Sequence, residues 1–275
     1  MSYPTEALSK LSWAERLALG CGRWVNENRR AKAVAMWLTW TVTRRWMSWM
    51  SGARMHLVGL DKVKALHLDR GILLASNHRS FFDMFMVLTH LSRHTPHCQR
   101  AYFPVRSTFF YENLLGVVVN GLASSMAMFP PIYRDPEKAD ATRAGLDFLT
   151  AELARPGTLV GIHPEGTRGK GPDPYELLPA EPGFGRVVLM AKPVVVPLFV
   201  NGMTNAFVRE CRSTLDGTGK PIIVVFGDPV DVSEHAGADP HKLRPQVLVG
   251  RKVLAEIARL GEVERAYRAE LGARA

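Results

Sequence analysis

The stretch LLASNHRSFFDMF, Leu73 to Phe85, sets His78 and Asp83 five residues apart where an apolar run gives way to a basic turn. An imidazole backed by a carboxylate is the arrangement of a general base. The carboxylate orients one ring nitrogen and leaves the other to take a proton from a substrate. Spacing alone says little, since His56 and Asp61 share it. Context separates the two pairs. His56 falls inside a strand-like run, whereas His78 follows one and Asp83 opens the helix beyond it. Loops past strand ends are where α/β proteins place reacting groups. A purely structural reading of the same turn stays open, because Ser80 and Asp83 also match a capping box.

Two further stretches add anion-binding chemistry. IHPEGTR, Ile162 to Arg168, follows another strand-like run and offers the carboxylate of Glu165, the flexible Gly166, the hydroxyl of Thr167 and the guanidinium of Arg168. A guanidinium presents paired donors that match two phosphate oxygens. FPPIYRD, Phe129 to Asp135, puts Arg134 just ahead of a helix N-terminus, itself a natural anion site.

Taken in order, NHRSFFD, IYRD, HPEGTR and VVVPLFV resemble the four sequence blocks of the glycerolipid acyltransferases of the 1-acylglycerol-3-phosphate acyltransferase type. ASN before the first block and VVFGDPVDV, Val224 to Val232, are similar to that family as well, so the resemblance runs from Arg54 to Val232. It implies an O-acyltransferase with His78 as general base and Asp83 as its orienting partner. It implies acceptor binding by Arg134, Glu165, Gly166, Thr167 and Arg168. Arg106, in FPVRSTFFYENLLG, stands where relatives often carry Lys, and both a phosphate contact and a plain surface position are open to it. The implied donor is acyl-CoA or acyl carrier protein. The implied acceptor is a phosphate-bearing lysolipid: 1-acylglycerol-3-phosphate giving phosphatidic acid, or else glycerol-3-phosphate or another lysolipid. No metal or other cofactor is implied, since a thioester sulfur leaves easily and an oriented imidazole can take the alcohol's proton. The sequence departs from the pattern at His163, where relatives carry an aromatic or aliphatic residue, and around Met128 to Pro131, which replace a glycine and a phenylalanine. HRS in the first block leans towards the glycerol-3-phosphate acyltransferase branch.

Other chemistries fit less well. Gly161 to Gly166 has the glycine spacing of a P-loop, but Thr167-Arg168 replaces the Lys-Ser/Thr. His90, His94 and His97 could suggest a metal site; the preferred reading is that they decorate the exposed end of a helix, where positive charge suits the dipole. Nucleic-acid binding lacks a recognition motif. A catalytically silent, basic membrane-surface adaptor on the same fold would need neither NHRSFFD nor PEGTR.

The elements that must position these residues alternate. RMHLVGL, GILLAS, AYFPV, TLVGI, VVVPLFV and PIIVVF read as strands. SFFDMFMVLTHLS, DPEKADATRAGLDFLTAEL (with Asp135 as cap and Pro136 at the first position) and a short segment near Gly185–Lys192 read as helices. This alternation predicts an α/β fold with a mixed, largely parallel central sheet flanked by helices. The tail from Pro240 reads as a solvated helix. Residues 5–50 read as two helices broken at VNENRR. The expected division is 1–50, N-terminal interfacial helices, and 51–275, an acyltransferase α/β domain with a C-terminal helix.

That N-terminal segment holds all 6 tryptophans and an excess of Lys and Arg, while the whole 275-residue chain carries a formal +9. Tryptophan favours headgroup depth, and basic residues favour anionic lipid. The apolar run AVAMWLTWTVT, bracketed by Lys32 and by Arg44-Arg45, is too short for a spanning helix. The expectation is therefore peripheral attachment to a membrane lipid surface through Trp37, Trp40, Trp46 and Trp49; packing of the tryptophans onto the main domain is the alternative. Three scattered cysteines without a C-x-x-C pair fit a reducing compartment, and no secretory signal is visible, so the cytoplasmic face is the expected location.

Overall fold

The computed structural model describes residues 3–66, 68–95 and 98–274. The chain opens with helices α1 (Thr5–Ser9), α2 (Trp13–Glu27), α3 (Arg29–Leu38) and α4 (Arg44–Ser51). A π-helical turn, Thr39–Thr43, joins α3 to α4, making one continuous helical run. The break expected in VNENRR falls at Asn28, whose side chain caps α3 by accepting from the amides of Arg30 and Ala31. Upstream, Ser12 and Glu15 close a reciprocal capping box on α2.

Strand β1 (Met55–Val58), α5 (Leu60–Lys64), β2 (Ile72–Ser76) and α6 (Asp83–Leu91) follow. Next come β3 (Arg100–Tyr102), β4 (Val105–Arg106), α7 (Ser107–Phe110), α8 (Leu114–Ser124), β5 (Pro131–Ile132) and α9 (Ala139–Leu153). The chain finishes with β6 (Thr158–Ile162), α10 (Pro182–Ala191), β7 (Val194–Asn201), α11 (Phe207–Leu215), β8 (Ile222–Phe226) and α12 (Leu243–Arg274). Six strands form one sheet in the order β1-β8-β7-β2-β6-β3. Only the β7–β8 pair is antiparallel, so the sheet is mixed and largely parallel, as the alternation predicts. AYFPV does not stay one strand. It divides at Phe103-Pro104, and β4 pairs with β5 in a separate two-stranded ribbon.

A parallel sheet covered on both faces needs strands that are apolar on both sides. In β2, Leu73 and Ala75 face one layer with α9, α10 and α12, while Ile72 and Leu74 face the other with α6. The tail from Pro240 is therefore not a merely solvated helix. Val249, Val253, Ile257 and Leu260 of α12 repeat at helical spacing and are buried in the first layer. Gly185 of α10 makes this crossing possible, because a Cβ there would overlap the carbonyl oxygen of Gln246.

The N-terminal helices join the same two layers. Ala7, Leu11, Ala18 and Leu19 enter the first, and Met36, Met47 and Met50 the second. Lys32, expected as a polar bracket at the segment's surface, is buried instead. Its Nζ donates to Asn26 Oδ1 (2.8 Å) and to the Ala101 carbonyl (2.6 Å), and it lies over the Tyr102 ring. Burial holds its pKa down to about 7, with Glu152 pulling the other way. Between pH 7 and the ordinary lysine value, the unfolded chain keeps a proton that the folded chain gives up. Stability should therefore rise as pH increases through that window and fall as pH drops towards 7, by roughly 2–4 kcal/mol across it. Urea unfolding at successive pH values checks this, and Lys32→Met should flatten the slope.

Candidate active site

The parallel strands β2, β6 and β7 end on one side of the sheet, and their carboxyl ends carry the residues singled out above. Asn77 continues β2 by a device of its own. Its Nδ2 donates to the Val200 carbonyl (2.9 Å), and its Oδ1 accepts from the Val200 amide (2.8 Å), so a side chain takes the place of the next backbone pair. The main chain is thereby free to turn, and His78 projects from the turn.

His78 Nδ1 lies 3.4 Å from Asp83 Oδ2. That same oxygen accepts the amides of Arg79 (2.8 Å) and Ser80 (2.7 Å), and Asp83 is 1% exposed. The capping box expected at this turn is only half formed: Asp83 takes the Ser80 amide, but no side chain among the described residues caps the first turn of α6. Asp83 ties the helix start to the turn and also faces the imidazole. Ser80 Oγ accepts from the Phe82 amide and donates to the Thr204 carbonyl. Among the described residues, His78 Nε2 has no hydrogen-bond partner, which leaves it the nitrogen available to a substrate. Burial, reinforced by the guanidinium groups of Arg168 and Arg106, pushes the His78 pKa down to about 3, so the ring is neutral at physiological pH. Burial pushes Asp83 up to about 6, against the amides, His163 and Arg168, which favour the anion.

Strand β6 delivers the second set. His163 stacks on His78, with centroids 3.7 Å apart and planes at 9°. Its Nδ1 lies 2.8 Å from the Asn77 carbonyl and 3.2 Å from that of Ser76. Glu165 does not face the open site. Its Oε1 accepts the His78 amide (3.0 Å) and its Oε2 the Leu178 amide (2.8 Å), so the carboxylate braces the turn that carries His78. Gly166 adopts φ +61°, and a Cβ there would press on the Glu181 side chain; its role in the geometry is the turn itself.

Thr167 Oγ1 accepts from Arg106 (3.1 Å), and Arg168 donates to Asn205 Oδ1 (2.7 Å). The β4–β5 ribbon pairs Arg106 with Ile132, two residues before Arg134. Burial, then Arg134 and Arg168, lowers the Arg106 pKa, so the three guanidinium groups share one electrostatic neighbourhood. Arg106, Arg134 and Arg168 are all exposed. The structure thus brings His78, Asp83, Thr167, Arg168, Arg106 and Arg134 into one neighbourhood past the carboxyl ends of β2 and β6, with Glu165 bracing the turn and Gly166 shaping the exposed loop.

The competing motifs separate from this site. His56 meets the Tyr267 hydroxyl (3.3 Å) and, among the described residues, no carboxylate. His90 Nε2 lies 2.8 Å from Ser51 Oγ; His97 lies outside the described residues. Sequence reasoning assigned no role to Asn205, which joins Arg168 to the Phe81 amide from a loop after β7. It carries no local signal. Asn77 had one, as the residue directly before the turn.

A neutral imidazole with one open nitrogen, near the guanidinium groups of Arg168 and Arg106, can take a proton from the hydroxyl of an anionic molecule. The family model described as Acyltransferase matches residues 54–201. Among solved structures, the crystal structure of the 1-acyl-sn-glycerophosphate (LPA) acyltransferase PlsC from Thermotoga maritima is similar, with a TM-score of 0.49 and 16% identity, covering 87% of this chain and 86% of that one. No match is found among curated proteins.

Proposed function

We propose that this chain, which belongs to the acyltransferase family, moves a fatty acyl group from an acyl thioester to the hydroxyl of a lysophospholipid. The preferred acceptor is 1-acylglycerol-3-phosphate, giving phosphatidic acid. The observation that carries the reading is the open Nε2 of a neutral His78, backed by Asp83 and near Arg168 and Arg106, with Arg134 close to Arg106. A silent adaptor would have no use for that arrangement. His78 takes the acceptor's hydroxyl proton as the oxygen attacks the thioester carbonyl. The tetrahedral intermediate then expels the thiolate, and the imidazolium returns the proton to sulfur. The donor is acyl-CoA or acyl carrier protein; neither a metal nor a covalent acyl-enzyme enters the scheme.

The acceptor's phosphate lies among the three arginines. Thr167 steadies Arg106, and Asn205 steadies Arg168. Incubating the protein with acyl-CoA and a panel of lysolipids, with and without phosphate, tests the reading by thiol release. Thiol release that needs the lysolipid supports transfer, and none with any acceptor or with acyl carrier protein would sink it. Arg134→Ala and Arg168→Ala should each raise the acceptor KM, as loss of one charge-assisted contact costs about 1.5–3 kcal/mol, and should leave the donor KM nearly unchanged. Equal use of a phosphate-free acceptor by the parent enzyme would overturn the phosphate assignment. Glycerol-3-phosphate as the better acceptor would move the enzyme to the neighbouring branch.

Both acceptor and product are amphiphiles, and the proposed location is a membrane lipid surface, on the cytoplasmic face. No helix among the described residues is long and apolar enough to cross a membrane. Trp13, Trp24, Trp37 and Trp49 are exposed, as are Leu17, Val34, Leu38 and Val42 on the same helices. Trp40 and Trp46, expected at the lipid, are packed instead: Trp40 Nε1 donates to the Cys98 carbonyl, and Trp46 meets Phe207 edge-on. The exposed apolar surface extends to Leu114, Leu115, Val118 and Leu122 of α8, a helix held against the N-terminal run by Thr39 and Thr43.

A further inference from the structure

His163 lies flat against His78, ring on ring, at the end of β6. Its ring is fixed from behind. Carbonyl oxygens only accept, so the contacts to Asn77 and Ser76 require the proton on Nδ1, which sets one neutral tautomer and one ring plane. Asp83, by contrast, holds the base loosely. Its 3.4 Å separation from His78 Nδ1 exceeds an ordinary N–H···O distance, and the oxygen involved is already engaged by two backbone amides at 2.8 and 2.7 Å. A single long contact fixes neither the tilt nor the plane of an imidazole. The parallel face of a second ring fixes both.

We propose that His163 is a positioning residue for His78. Its face, anchored by the Asn77 carbonyl, keeps the base in the plane where Nδ1 meets Asp83 and Nε2 meets the acceptor hydroxyl. The inference rests on the reading of His78 as general base. It also has a chemical side. When His78 takes the acceptor's proton it becomes a cation, and an aromatic face lying over it stabilises that charge. Burial, with His78 alongside, keeps His163 itself neutral, so no second positive charge opposes the step.

Three substitutions divide the two duties of the ring. His163→Phe keeps a face and loses the hydrogen bond. His163→Asn keeps a donor for the Asn77 carbonyl and loses the face. His163→Ala loses both. Steady-state kinetics should give kcat near the parent value for the Phe variant and about tenfold lower for the Asn and Ala variants, with the acceptor KM little changed in all three. Melting temperature should follow the other duty, with Asn above Phe. If kcat falls in step with melting temperature across the set, or stays at the parent level in both Asn and Ala, His163 is a packing residue and the proposal fails. If the Ala variant does not fold, the Phe and Asn pair still decides. A His78→Ala enzyme that retains full turnover would instead overturn the base assignment beneath it.

Discussion

In His78→Ala, kcat should fall by about 10³-fold, with a circular dichroism spectrum like that of the parent. The residue sits on a turn beyond β2, so its loss leaves the strand and both core layers in place. Asp83→Asn should cost on the order of 10²-fold, because an amide removes the anion facing the imidazole yet can still accept from the Arg79 and Ser80 amides. His56→Ala and Asp61→Asn, with the same spacing, should leave turnover unchanged. The pH profile gives a second check, with a definite sign. His78 is held down to about 3 by burial and by Arg168 and Arg106, so it stays neutral from pH 5 upward. Asp83, pushed up to about 6 by burial, gains its proton as pH falls through that value and ceases to be an anion. The acid limb of kcat/KM should therefore lie near pH 6 and report the carboxylate, and Asp83→Asn should flatten it. An unaltered limb in Asp83→Asn would assign it to another group.

Replacing Trp13, Trp24, Trp37 and Trp49 together by Gln should weaken binding to anionic vesicles by about 100-fold or more, since each indole carries roughly 150–250 Å² of surface. All four are exposed, so the substitutions spare the core. Truncation of residues 1–50 is the poorer experiment, because it would also remove Met36, Met47 and Met50 from one layer and Leu11 and Leu19 from the other. High salt should weaken binding of the parent only in part, as indole burial is not screened. Sedimentation with vesicles measures both effects. Parent-like pelleting of the fourfold variant would move the membrane contact off these helices.

What could be read in advance followed from local rules. An apolar run ending in Asn-His marks a strand and the turn past it, and so His78 and Asp83 were legible with their helix. The parallel sheet followed from alternation. Side-chain direction in a loop has no such rule, and Glu165, grouped with the acceptor residues, turned inward to two backbone amides. The partners of Arg168 and Asn77 come from β7 and the loop after it, far along the chain. In α12 the Arg and Glu residues obscured a buried stripe at Val249, Val253, Ile257 and Leu260. Six tryptophans in one segment gave no means of telling those that pack from those that protrude, and Lys32 was counted by its charge when three neighbours were waiting for it inside.

At Asn77, shape and polarity part company. One small amide closes the hydrogen-bond ladder between β2 and β7 with a donor on one side and an acceptor on the other, both aimed at Val200. Aspartate has the same outline but would set a second acceptor against the Val200 carbonyl, and leucine would fill the volume while leaving both groups of Val200 buried and unpaired. The position is thus constrained by the donor–acceptor order of a hydrogen-bond pair, not by room or greasiness, and the join between β2 and β7 and the bearing of His78 hang on the same two atoms.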